Sequence, residues 1–228
     1  MYLKQYIILL FATLLFLPLD SCRKRERKDD TDRKVDSVLS LMTLEEKIGQ
    51  MTLFTSGWTV TGPLLDEQYE DDIRSGRCGN IFNAHTVEYN LKLQKMALEE
   101  TRLGIPLLFG YDVIHGYKTI FPIPLAEACS WDLEIIEQTA RLSAKEATAA
   151  GLNWTYNPMV DITRDPRWGR IAEGSGEDAW LGSRIAAAKV RGYQGDDLAD
   201  PSTMAACVKH FAAYGAPEAG RDYNTVDM

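Results

Sequence analysis

Asn157-Pro-Met-Val-Asp-Ile-Thr-Arg-Asp-Pro-Arg-Trp-Gly-Arg-Ile-Ala-Glu-Gly-Ser-Gly-Glu-Asp178 is the stretch from which the rest of the chain can be read. Its centre, Arg164-Asp-Pro-Arg-Trp-Gly-Arg170, sets guanidinium groups, a carboxylate and an indole close together. Pro166 pushes Asp165 away from helical angles, and Gly169, Gly174 and Gly176 interrupt regular structure. The stretch is therefore expected as a long loop. Regular segments flank it: Leu152 to Tyr156 reads as a buried strand, and Ala179 to Tyr193 as a helix ended by Gly195. A polar loop carried on rigid elements is where binding groups concentrate. Ion pairs inside the loop would account for its charges equally well.

Working outward, the same alternation recurs. Thr203 to Val208 is a strand candidate ending in Lys209-His-Phe211. Upstream, Asp132 to Ala150 is helical and closed by Gly151, and Pro106 to Gly110 is a buried strand leading into Tyr111-Asp112. Thr86 to Leu103 is an amphipathic helix ending at Gly104, and Asn80 to Phe82 a short strand. Asp66 to Ser75 is helical, and Gly57 with Gly62-Pro63 marks a loop. Thr43-Leu-Glu-Glu46 fits a capping box for a helix over 44–50. Val35, Val38, Leu39 and Met42 follow helical spacing. Strand alternating with helix predicts an α/β fold with a parallel sheet, either doubly wound or a (β/α)8 barrel.

In a parallel sheet the strand ends share one edge. Asp112, the Arg164–Arg170 run, Lys209 and His210 all follow strands, so they meet at the carboxyl edge, where such folds place ligands. Singly, Asp112 could cap a turn, Lys209 could be solvated and His210 could be a core histidine. Together they mix donors with acceptors, which suits sugar hydroxyls, since each hydroxyl both donates and accepts. A phosphate site would want several cations and free helix amides. A metal site would want ligands at closer spacing than His85, His115 and His210. No cofactor is expected. The absence of GxGxxG and Walker-type loops argues against nucleotides, and the net charge of −8 argues against nucleic acid.

The N-terminus has its own logic. Lys4 precedes an apolar run from Ile7 to Leu17, short for a membrane span and suited to a signal-peptide core. Ser21-Cys22 follows, like a bacterial lipoprotein cleavage site, with Cys22 the residue to be lipidated and Asp20 a departure from that pattern. Residues 1–22 are thus expected as a signal peptide for export to the periplasm, with a lipid anchor at Cys22. Arg23 to Lys34, RKRERKDDTDRK, is expected as a charged, flexible linker, with the folded domain starting near Val35. Cys129 and Cys207 sit among apolar neighbours and are expected as buried thiols.

Several short runs now take on a joint meaning. They are Thr43-Leu-Glu-Glu-Lys-Ile-Gly-Gln-Met51, Gly104-Ile-Pro106, Gly110-Tyr-Asp-Val-Ile-His-Gly116, Phe121-Pro-Ile-Pro124, Asn157-Pro158, Arg164-Asp-Pro-Arg-Trp-Gly-Arg170 with Glu173 and Glu177-Asp178, Lys209-His-Phe211 with Tyr214-Gly215, and Asn224-Thr-Val-Asp227. In this order, over about residues 35–228, they resemble glycoside hydrolase family 3. The resemblance implies a (β/α)8-type N-terminal domain followed by an α/β sandwich domain. It also implies retaining hydrolysis of β-linked glucosides or related oligosaccharides. By the same resemblance Asp112 binds two hydroxyls of the terminal sugar, and Arg170, Lys209 and His210 hold the same sugar. Asp222, in Gly220-Arg-Asp-Tyr-Asn224, is implied near them. The segment after Lys209-His-Phe211 lacks the Asp-His dyad of the N-acetylglucosaminide subgroup and resembles the β-glucosidase type. β-Xylosidase activity stays open.

A retaining glycosidase needs two carboxyl groups about 5–5.5 Å apart. The family's nucleophile lies in a Ser-Asp-Trp type motif on a later strand, and this sequence contains no such motif. Val35 to Met228 also falls short of the roughly 250 residues of a complete barrel. The expectation is an α/β fold, the N-terminal part of a (β/α)8 TIM-type barrel, truncated, with nucleophile and acid/base beyond Met228. On that expectation the chain alone is inactive and poorly folded, since an unclosed barrel exposes its sheet edges. The alternatives from other classes are a non-catalytic sugar-binding lipoprotein and an inactive structural remnant with no ligand.

Overall fold

The computed structural model describes residues 29–59, 62–64 and 67–227. The expected signal segment, Cys22 and the first half of the charged linker lie outside them. Two compact units divide at Leu41 and Met42.

The first unit shows one described helix, α1 (Asp30–Leu41). Asp29 accepts the Asp32 amide at 2.8 Å, as an N-cap does. Asp30 pairs with Arg33 at 3.2 Å and Lys34 at 2.8 Å, one turn away. These local bonds start a helix inside the segment expected to be a flexible linker. Its apolar stripe, Val35, Val38 and Leu39, is exposed. The second compact unit starts at Met42, seven residues later than the expected domain start.

In the second unit the capping box forms as the sequence predicts. Thr43 Oγ1 accepts the Glu46 amide at 3.2 Å, and Glu46 Oε2 accepts the Thr43 amide at 2.8 Å, opening α2 (Leu44–Gln50). Then come β1 (Leu53–Thr55), β2 (Gly57–Thr59), β3 (Gly62–Leu64), α3 (Glu67–Arg74), β4 (Asn80–Phe82), α4 (Val87–Glu99) and β5 (Leu108–Tyr111). After these come α5 (Pro124–Ala128), α6 (Leu133–Ala149), β6 (Trp154–Thr155), α7 (Ala179–Gln194) and β7 (Ala205–Ala206). Asp132 caps α6 through the Glu134 and Ile135 amides, and Asp178 caps α7 through the Leu181 amide.

The expected loop around Gly57 and Gly62-Pro63 is instead an antiparallel hairpin, β2 with β3. The long loop after β6 contains a 3-10 turn at Gly169–Glu173. β1 and α5 were not expected: α5 is five residues long, too short for a helical period to register, and β1 is exposed at Leu53 and Thr55, unlike the buried β4 of equal length. Two cysteines differ from expectation. Cys129 is exposed and Cys207 only partly covered, while Cys78 is buried. Cys129 follows the short α5, which turns Glu127 and Ala128 inward and leaves the next residue outside.

Five strands form one parallel sheet in the order β1-β4-β5-β6-β7. The register runs Leu53↔Asn80, Asn80↔Leu108, Gly110↔Trp154 and Trp154↔Ala205. Each new strand adds beside the last one, in chain order. A doubly wound sheet reverses its order at a switch point; this one does not, and so it has the progression of a barrel wall. Ile81 and Phe109 of the sheet pack with Leu93 and Met96 of α4, Ala140, Ala144 and Ala147 of α6, and Tyr193 of α7 in one continuous core.

The α6–α7 contact needs a glycine at 192. A Cβ there would lie 2.4 Å from the Glu137 carbonyl oxygen and 2.7 Å from the Ala140 Cβ. Two helix backbones would have to separate, so Gly192→Ala is expected to lower unfolding stability by about 1–3 kcal/mol. Chemical denaturation of the two proteins checks this; an unchanged midpoint would show that the helices can part freely.

Candidate functional site

Three loops meet at the carboxyl edge of the sheet. Asp112 leaves β5 directly. The β6 and β7 exits stay joined beyond the sheet. The Cys207 amide donates to the Asn157 carbonyl at 3.0 Å, the Lys209 amide to Pro158 at 3.0 Å, and the Val160 amide to Lys209 at 2.7 Å. The Asn157–Pro158 and Lys209–His210 peptides are both cis. This ladder fixes the backbone on which Lys209 and His210 stand.

Buried polar groups fix Asp112 from below. The Asn157 Nδ2 amide donates to the carbonyls of Val113 and Ile114, each at 3.1 Å, and lies 2.6 Å from the Tyr193 hydroxyl. Tyr193 donates to the Val113 carbonyl at 2.7 Å. The Val113 amide donates to Thr155 Oγ1 at 3.3 Å. Asn157, Tyr193 and Thr155 are all buried. They hold the two residues after Asp112, so the carboxylate starts from a rigid anchor.

The charged groups then form a chain. Lys209 Nζ lies 2.7 Å from Asp112 Oδ1 and 4.0 Å from Glu173 Oε2. Glu173 takes two bonds from Arg170, at 2.6 Å and 2.8 Å. Arg170 also donates to the Tyr214 hydroxyl at 3.2 Å, and its guanidinium lies 5.2 Å from that ring's centre. The Arg170 hydrogen bonds pull the Glu173 carboxyl below its usual range against the opposing effect of burial, with Lys209 adding to the pull. Glu173 in turn raises the guanidinium's pKa. The Lys209 side chain is 13% exposed and that of Asp112 39%, so the acid stays open to a ligand while the base is mostly covered.

His210 is held from the other side. Its Nδ1 lies 2.7 Å from Asp161 Oδ2, which also accepts the His210 backbone amide at 3.1 Å. The Tyr214 ring meets His210 edge-on at 4.5 Å and Trp168 at 5.4 Å. Asp222 sits behind this ring. It accepts the indole N–H of Trp168 at 2.8 Å and the Tyr214 hydroxyl at 2.9 Å. The indole bond is the main reason its carboxyl falls below the normal range. Burial pushes the Tyr214 phenol up to about 12.

Asp112, Arg170, Lys209 and His210 therefore converge, and Asp222 reaches Arg170 through Tyr214. The other arginine bonded within the run faces elsewhere: Arg167 closes on Asp165, bringing that carboxyl down to about 2. Sequence reasoning gave no role to Glu173, Asp161, Tyr214, Asn157 or Tyr193. Glu173 carried a signal, since it stands three residues after Arg170, but the partners of Asp161 and Asn157 are 49 and 36–44 residues away. Each carboxylate of the group has a donor partner, so acceptors and donors alternate along the site, a mixture of the kind hydroxyls can bond to. Among the described residues no cluster of three or more His, Cys, Asp or Glu side chains could hold a metal ion.

Residues 43–228 match the glycosyl hydrolase family 3 N terminal domain. The chain belongs to glycosyl hydrolase family 3. Its similarity to other members is substantial. It is 46% identical over 197 residues to the periplasmic β-glucosidase of Salmonella typhimurium, a match covering 86% of this chain and 25% of that protein. It is 30% identical over 214 residues to a putative β-xylosidase of Formosa agariphila, covering 86% and 28%. Among solved structures, the β-glucosidase of Listeria innocua in complex with glucose superposes with a TM-score of 0.77 at 44% identity, covering 86% of this chain and 29% of that one. The chain thus spans about a quarter of the length of the curated relatives it matches. A five-stranded stretch of barrel wall agrees with that share of a family 3 protein.

The Glu173–Arg170 pair has a pH signature. A carboxyl whose folded pKa lies below its ordinary 4.5 adds stability that is complete above that value. The contribution is lost as pH falls through the folded pKa. The stability gap between the protein and its Glu173→Gln variant should thus be constant above about pH 5.5 and shrink below about pH 4.5. Denaturation midpoints across that range decide; a gap that ignores pH contradicts the pairing.

Proposed function

We propose that this chain supplies the sugar-holding part of a retaining β-glucosidase, which releases terminal non-reducing β-D-glucosyl residues from glucosides or oligosaccharides. The carrying observation is the convergence of Asp112, Lys209, Arg170 and His210 at the carboxyl edge of a family 3 sheet. Asp112 accepts hydrogen bonds from sugar hydroxyls, while Lys209 and Arg170 donate to their oxygens. Glu173 keeps the Arg170 fork in place, and Asp222 fixes Tyr214 under it. The attacking carboxylate and the acid/base would come from the three quarters of the relatives' length that this chain does not span. Water then releases the sugar from the glycosyl-enzyme. A glucoside is favoured over a xyloside because identity is higher to the Salmonella β-glucosidase than to the Formosa protein.

Export belongs to the same proposal. The apolar run from Ile7 to Leu17 and the periplasmic Salmonella relative support a periplasmic location. Ser21-Cys22 supports a lipid anchor to the membrane.

On this reading the 228-residue chain hydrolyses no 4-nitrophenyl β-D-glucoside by itself; measurable turnover would refute the division of labour. In the enzyme carrying the rest of the family 3 length, Asp112→Ala should lower kcat/KM by about three orders of magnitude, roughly 4 kcal/mol, because hydroxyl contacts tighten in the transition state. Steady-state kinetics on the aryl glucoside provide the check, and an unchanged kcat/KM would remove Asp112 from the sugar site.

A further inference from the structure

Asp161 is the least accessible acid of the group. Its side chain is 3% exposed, against 39% for Asp112 and 25% for Glu173. Little of its surface is open to a ligand, and its side-chain hydrogen bonds run to one other residue. That residue is His210, which gives Asp161 Oδ2 both its backbone amide and its Nδ1. A carboxylate only accepts, so the ring must carry its proton on Nδ1 to make the 2.7 Å contact. In the neutral ring Nε2 is then the bare nitrogen. The ring is 30% exposed and lines a 460 Å³ cavity with Arg170 and Tyr214. The backbone agrees with this fixed pose, because the Val160 amide next to Asp161 holds the Lys209 carbonyl at 2.7 Å.

We infer that Asp161 is a positioning residue that locks His210 as the Nδ1–H tautomer, so that Nε2 receives a hydrogen bond from a sugar hydroxyl. The inference rests on the sugar-binding reading and adds a direction to it. Lys209 and Arg170 only donate, whereas Asp112 and His210 accept. The site therefore needs at least two hydroxyls that can give a proton.

The tautomer can be read without sugar. Protein labelled with [15N]histidine has three imidazoles, His85, His115 and His210, and a His210→Gln spectrum assigns the third. At about pH 8.5, where an ordinary imidazole is neutral, His210 should show a protonated Nδ1 and a bare Nε2. A protonated Nε2 overturns the inference. Asp161→Asn keeps an oxygen that accepts both N–H groups, so the tautomer should persist. Asp161→Leu fills similar space without an acceptor and should abolish the bias.

In the enzyme carrying the remaining length, hydrolysis of the aryl glucoside should change less than about threefold in the Asn variant and fall about tenfold to a hundredfold in the Leu variant. Equal losses in both would assign Asp161 a charge effect instead and overturn the inference. If the Leu variant does not fold, the wild-type and Asn spectra still decide. Hydrolysis with a protonated Nε2 sinks this inference alone. A protonated Nδ1 in an enzyme that hydrolyses no glucoside sinks only the β-glucosidase reading.

Discussion

An ammonium drawn away from water must meet opposite charge, and Lys209 meets it from two loops. Asp112 closes on one side at 2.7 Å and Glu173 stands 4.0 Å away on the other. Those partners come from the exits of β5 and β6, while Lys209 itself leaves β7. One cation thereby ties together three consecutive strand ends, and the rest of the site hangs from it. Arg170 is aimed by Glu173, Tyr214 is aimed by Arg170 and Asp222, and His210 follows Lys209 in the chain. The arrangement exists only because the sheet is parallel and adds its strands in order, which brings successive exits side by side at one edge.

The support beneath the site is uncharged. Asn157, Tyr193 and Thr155 are buried and spend their hydrogen bonds on the backbone just after Asp112. A buried amide N–H or phenol is costly to leave without a partner, and the Asn157 Nδ2 and Tyr193 hydroxyl meet that need on the backbone after Asp112, which fixes its geometry. Tyr193 extends this support to α7, which packs on α6 across the close approach at Gly192. The helix layer and the carboxyl edge of the sheet are thus mechanically connected through one phenol.

Much of this was legible in the sequence, for reasons of range. Capping at Thr43, the long helices α6 and α7, and the strands β4 and β5 are set by signals within a few residues, and the structure has them. So does the gathering of Asp112, Lys209 and Arg170, because strand order alone places strand ends. The misses are also physical. The glycines and proline of the 57–64 hairpin read as a loop, β1 lacks the burial of β4, and α1 begins inside a charged segment because local ion pairs and Asp29 support it. Asp161 and Asn157 stand in an elaborate loop whose charges could as well have paired locally. Only the fold shows that Asp161 faces His210 and that Asn157 faces the chain after Asp112. Asp222, implied near the site by family resemblance, bonds to Trp168 and Tyr214 and reaches Arg170 through Tyr214.

The central claim is that the carboxyl edge of this sheet holds a terminal glucose by its hydroxyls. A crystal structure of the protein grown with glucose tests it most directly. The account predicts one glucose at this edge, with two hydroxyls on the Asp112 carboxylate and with Lys209, Arg170 and His210 in hydrogen-bonding distance of the same ring. Glucose bound elsewhere, with Asp112 still closed on Lys209 and no sugar beside it, would contradict it.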